Sequence, residues 1–293
     1  MHFPKYWARG EWAGTGPKGE PWRQWAWDCS DDSLADAQAR ATAKAQRLGE
    51  SAARFPQTHR GHYPYADREV REPILRTLDG ATGECAAVIS RTAYGSEVLN
   101  TERLMFVDID LPAPKPAAGL IVALFRRLFG GGTAETAPAA TPTDLKLADL
   151  RQWHTSNPSW AFRVYRTHSG LRYLVTSDWQ DPVASSTHAV LNSLGCDSRY
   201  QQLCKVQKSF RARLTPKPWR CGCDNPPVRF PYESDRQEAL MRQWLAGYQQ
   251  SSARYATCQF LTTVGATPAS STMASLITEH DTQTKATSGL PLA

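Results

Sequence analysis

Apolar residues recur along this chain with two periods. Between residues 72 and 110 and between 160 and 176 they alternate or run in blocks of strand length, whereas residues 33–55, 144–154, 182–194, 234–260 and 270–284 show helical spacing. Asp31-Asp32-Ser33 supplies capping side chains for the alanine-rich helix, and Pro56 follows its end. Residues 72–78 and 85–91 predict strands around a turn at Asp79-Gly80, and residues 94–100 predict a third. A fourth apolar run reaches Asp108-Ile109-Asp110 just before Pro112, so the order reads as an antiparallel meander and not a strand–helix alternation. The clearest hairpin is 160–167, turning at His168-Ser169-Gly170 into 171–176. Gly195 stops one helix, Asp197 caps a short one through Gln207, and 209–215 predicts a further strand. In the helix predicted over 234–260, Leu240, Trp244, Tyr248 and Tyr255 point inward.

These elements predict one α+β domain with a mostly antiparallel sheet flanked by helices. Residues 1–57 form an aromatic-rich N-terminal wrap, 72–220 the sheet core, 112–143 a flexible insertion within it, and 233–286 C-terminal helices. Trp22, Trp25 and Trp27 are expected to cap the core, and His59 and His62 to lie on the surface. At 293 residues and 41% hydrophobic content, the chain can bury a substantial interior. No run approaches a membrane span. The apolar, basic patch 120–129 is too short for stable membrane association, and a cytoplasmic protein is expected. Seven scattered cysteines suit reduced thiols, although Cys196, Cys204, Cys221 and Cys223 leave a zinc site conceivable. A formal charge of +6 and a pI near 9.0 favour an anionic partner, nucleic acid being the commonest.

Side chains alternate along a strand, so Asp108 and Asp110 emerge on one face while Ile109 enters the core. Two adjacent carboxylates are either solvated at a strand end or hold a divalent metal, and hard oxygen ligands suit Mg2+ or Mn2+. Arg163 and Arg172 leave the apolar face of the hairpin, as solvated side chains or as phosphate ligands. Arg211 and Arg213 share one face of their strand, with Lys217 beyond. Like charges two apart are unfavourable unless an anion lies between them, which makes this the best phosphate-binding segment.

An apolar strand ending in Asp108-x-Asp110, a hairpin with Ser169-Gly170 at its turn, and Phe210-Arg211 followed by Pro216-Lys217 together resemble the archaeo-eukaryotic primase superfamily, which includes primase-polymerases. The similarity spans residues 84–219. It implies an RRM-like primase core that transfers nucleotides from nucleoside triphosphates to nucleic acid. Asp108 and Asp110 would be metal-binding and catalytic, and Arg163, His168, Ser169, Arg172, Arg211, Arg213 and Lys217 would contact phosphate or nucleotide. The run from Phe210 to Arg220 also resembles one found in a set of bacterial proteins. Two departures stand out. The His expected after Ser-Gly is replaced by Leu171-Arg172, passing phosphate contact to Arg172 or His168, and no later strand offers a third Asp. The same residues are compatible with a non-catalytic nucleic-acid-binding protein or a metal-dependent nuclease.

Overall fold

The computed structural model describes residues 1–16, 18–54, 69–112, 140–265 and 270–293. His59, His62 and the patch 120–129, with most of the insertion, lie outside the described residues. Strands β1 (Tyr6–Thr15) and β2 (Pro21–Ser30) pair antiparallel, from Tyr6 opposite Ser30 to Thr15 opposite Pro21, and helix α1 (Leu34–Arg54) packs on them. Ala37, Ala41 and Ala45 recur at four-residue intervals and are fully buried, so the helix backbone settles close to the hairpin. Gly10 meets the backbone of Ala41 and Thr42 where any Cβ would collide. An interface this shallow has no room for several indoles. Trp22 and Trp25 consequently stand exposed, at 36% and 59%, instead of capping the core, and Trp27 lies under the Arg71 guanidinium at 5.1 Å.

Among the described residues, the remaining strands build two four-stranded antiparallel sheets. The first contains β3 (Ile74–Asp79), β4 (Cys85–Arg91), β5 (Glu97–Thr101) and β9 (Phe210–Arg213), in that spatial order. In the second the order is β10 (Cys258–Val264), β7 (Phe162–Thr167), β8 (Gly170–Val175) and β6 (Phe106–Asp110). The expected meander holds for β3, β4 and β5 and then stops. Thr101 Oγ accepts from the Arg103 and Leu104 N–H groups, the chain turns away, and β6 opens the second sheet while β9 takes the edge beside β5.

A shared core of Ala87, Ile89, Leu99 and Ala212 from one sheet and Phe106, Ile109, Phe162 and Leu171 from the other joins them. Each buried Phe, Ile or Leu contributes roughly 1.5–3 kcal/mol. Edge strands β6 and β9 lie against each other, forming a seam between the two sheets.

Helices α2 (Pro142–Ser156), α3 (Ser185–Ser193), α4 (Ser198–Gln207), α5 (Asp235–Ser252) and α6 (Ser271–Thr284) cover the sheets. The long C-terminal helix expected over 234–260 ends at Ser252. Beyond it the β-rich Cys258–Val264 segment pairs with the open edge of β7, with a bulge between Phe260 and Thr262. No described helix is long and apolar enough to cross a membrane.

Candidate functional site

β6 is five residues long, and its burial follows the alternation read from the sequence: Ile109 is buried while Asp108 is half-buried and Asp110 exposed. Asp108 stands opposite Arg172 on β8, and Asp110 opposite Gly170. Gly170 has no alternative there, because a Cβ would strike the Ile109 carbonyl and push β6 off β8. The Leu111 N–H continues the ladder to the Ser169 carbonyl at 3.0 Å, so the hairpin turn lies beside the two carboxylates.

At this end of the seam opens a cleft of about 620 Å³. Asp108 and Asp110 reach it from β6, Arg172 from β8, Arg213 from β9, and Lys217 and Arg220 from the loop and 3-10 turn (Pro218–Arg220) that follow. Ser169 lines it as well and accepts a hydrogen bond from Arg220 Nη2 at 2.8 Å.

Asp197 and Arg199 complete the charged wall. Asp197 is the N-cap of α4, its Oδ1 accepting from the Tyr200 N–H at 2.8 Å, and its own N–H donates to the Asp108 carbonyl at 2.9 Å. A residue that the sequence marks only as a cap therefore brings a third carboxylate to the cleft. Its capping position was legible; its neighbour was not.

Five cations face three carboxylates here, and among the described residues none of the eight joins an ion pair. Oppositely charged side chains free to collapse onto one another would do so. Arg172 and Arg220 instead spend donors on other partners. Arg172 is buried, with Nη1 donating to the Arg213 carbonyl at 3.1 Å and to His280 Nε2 at 3.2 Å. The Arg213 Nε is buried and without a partner, an orphaned donor of the kind an anion would satisfy.

The electrostatics report the same crowding. Burial raises the Asp108 carboxyl above its ordinary range; Arg172 and Arg213 pull it down, and Asp110 and Asp197 push it further up. Lys217 falls to about 8 through burial and through repulsion by Arg213 and Arg220. His168, bonded through Nδ1 to Ser169 Oγ at 3.1 Å, is lowered by burial and then by Arg220, Lys217 and Arg213. It is a neutral neighbour of the cations and not one of them.

Two of the arginines singled out in the sequence do not reach the cleft. Arg211 turns to Glu72, meeting both carboxylate oxygens at 2.7 and 2.6 Å, and donates to Gln207 at 2.8 Å. Arg163 is held by Asp281 at 2.5 Å and by the Tyr165 hydroxyl at 2.9 Å, against the ring of Phe260. Both are neutralised structural cations.

As for metals, among the described residues no group of three or more His, Cys, Asp or Glu side chains is close enough together to hold an ion. Cys196, Cys204, Cys221 and Cys223 are free thiols that do not meet as a set. Asp108 and Asp110 suit another kind of site, in which Mg2+ or Mn2+ keeps its waters, arrives on substrate phosphates and takes one or two protein carboxylates. Comparison with protein-family models, with curated proteins and with solved structures yields no match to this chain.

Proposed function

We propose that the cleft binds the triphosphate of a nucleoside triphosphate and transfers its nucleotidyl group to a hydroxyl of nucleic acid, the chemistry of the primase-polymerases that its motifs resemble. The observation that carries this reading is the convergence of Arg172, Arg213, Lys217 and Arg220 opposite Asp108 and Asp110 in one cleft, with no ion pair between the two sets. Such separated charge suits a ligand that is itself polyanionic and carries a cation.

In this reading Asp108 and Asp110 hold the Mg2+ or Mn2+ that accompanies the phosphates. When bound, that ion neutralises charge on the phosphate oxygens. Arg213 presents its unpartnered Nε to a phosphate oxygen, while Arg172, fixed by His280 and the Arg213 carbonyl, presents its remaining donors to the neighbouring charge. A new bond forms between the attacking hydroxyl oxygen and the α-phosphorus as the hydroxyl proton passes to water, the bond from that phosphorus to the bridging oxygen breaks, and pyrophosphate leaves with that electron pair.

A second reading keeps the cleft as a phosphate-binding site of a non-catalytic nucleic-acid-binding protein. It is favoured by the lack of a three-ligand group among the described residues and by the raised Asp108 carboxyl. Incubation with labelled primer-template, nucleotides and Mn2+ separates the two. Extension that Asp108→Asn abolishes supports transfer; a salt-sensitive mobility shift with no product, unchanged in Asp108→Asn, supports binding alone; shortening of the strand indicates a nuclease.

A further inference from the structure

The rim of the cleft carries a feature that phosphate chemistry does not use. Trp219 lies within the 3-10 turn whose flanking Lys217 and Arg220 both line the cleft, yet its own indole is 54% exposed. Tyr94 meets it edge-on from the β4–β5 turn, ring centroids 5.7 Å apart and planes inclined at 60°, and itself lines the cleft. The Lys217 ammonium sits 5.4 Å from the indole centroid.

Both mounts are stiff. Pro218 is buried, and its carbonyl accepts from the N–H groups of Cys221 and Cys223, each at 3.0 Å. On the other side, Gly95 (φ +95) closes the turn carrying Tyr94, with the Trp244 ring packed where a Cβ would point. Trp22 and Trp25 are also exposed, but they lie on the N-terminal hairpin and do not line the cleft, and Arg9 and Lys44 of that unit are paired with Glu11, Glu233 and Asp28. Trp219 joins an exposed π face to two cations at the cleft, Lys217 and Arg220, that make no ion pair among the described residues.

Resting on the proposed function, we propose that Trp219, braced by Tyr94, is the platform on which an unpaired base of a single-stranded nucleic acid stacks while its backbone phosphate runs to Lys217 and Arg220. A π face accepts any base, so the platform selects single strands without selecting sequence. Lys217 then serves two ends at once, a cation over the ring and a charge for the phosphate.

The test is fluorescence anisotropy with labelled oligothymidylate, the equivalent oligouridylate and an abasic oligonucleotide of the same length. The wild-type protein is expected to bind the base-bearing strands at least about tenfold more tightly than the abasic one. Trp219→Ala should erase that difference, Trp219→Phe should keep most of it, and Lys217→Ala should weaken all three strands together. An unchanged preference in Trp219→Ala, with an unchanged melting temperature, overturns the platform, as does a wild-type protein that binds no strand. Primer extension is scored separately. Extension with an unaltered preference in Trp219→Ala sinks the platform alone, whereas loss of preference in a protein that extends nothing sinks the transfer chemistry alone.

Discussion

The main-chain N–H of Asp197 donates to the carbonyl of Asp108 at 2.9 Å, tying the first residue of a capped helix to the strand that carries the acidic pair. That bond brings the N-cap of α4 beside the strand carrying Asp108 and Asp110, so that all three aspartates line one cleft. It also gives Asp197 two separable duties, since Oδ1 caps α4 while the remaining charge faces the cleft.

Those duties come apart by substitution. Asp197→Asn retains a capping oxygen and should leave thermal stability nearly unchanged, whereas Asp197→Ala should cost about 1 kcal/mol. If the charge matters to the site, both variants lose Mn2+-dependent extension to a similar degree. A parallel fall of stability and activity across the two would assign Asp197 to capping only.

Arg211 and Arg213 are neighbours on one strand with opposite expected behaviour. Glu72→Ala strands the buried Arg211 guanidinium and should destabilise by about 3–5 kcal/mol, read as a lower denaturant midpoint. Arg213→Ala removes a donor that has no partner, so the midpoint should hold or rise. Binding of inorganic triphosphate, measured by calorimetry, should weaken at least tenfold in Arg213→Ala, the equivalent of about 1.5 kcal/mol for one lost charge-assisted bond.

Lys217 makes anion binding depend on pH. Its ammonium loses the proton near pH 8, so triphosphate affinity should decline as pH rises through that value, and Lys217→Arg should flatten the profile. Stability responds in the other direction. An unfolded lysine keeps its proton up to 10.5, unfolding therefore takes up a proton between about 8 and 10.5, and this residue's contribution to stability rises across that window. A Lys217→Arg profile that still falls near pH 8 would point to a different titrating group.

His280 links Asp281 to Arg172 in a buried line: Nδ1 lies 3.0 Å from Asp281 Oδ1, and Nε2 accepts from Arg172. Burial drives its pKa down to about 4, helped by Arg172, while Asp281 opposes the shift. An unfolded histidine titrates at 6.5 and takes up a proton first as pH falls. Between 6.5 and about 4 the protein should lose stability on the order of 3 kcal/mol from this group. Urea titrations across that range should show the slope in the wild type and its absence in His280→Gln, which should also weaken triphosphate binding by freeing Arg172.

Much of this molecule was legible from local pattern. The alternation that places Asp108 and Asp110 on one face, the hairpin at Ser169-Gly170, the stop at Gly195 and the Asp197 cap all depend on near neighbours in sequence, and all are present. The helical spacing over 234–260 does not continue as helix past Ser252, because the vacant edge of β7 takes Cys258–Val264 as a strand, a tertiary partner that local periodicity does not register. The Trp22 and Trp25 expectation failed because burial of an indole depends on the depth of the surface opposite, which alanines and glycines had filled.

What the sequence by itself determined is most of the elements of the sheet core and the face on which Asp108, Asp110, Arg211 and Arg213 leave their strands, because backbone geometry is local. Which charges meet was decided only by the tertiary structure. β6 and β9 belong to different sheets, and their edges bring Arg213 to the acidic pair while Arg211, two residues earlier, finds Glu72 first. A charge is spent or left available according to what lies across from it, and that neighbour comes from more than a hundred residues away.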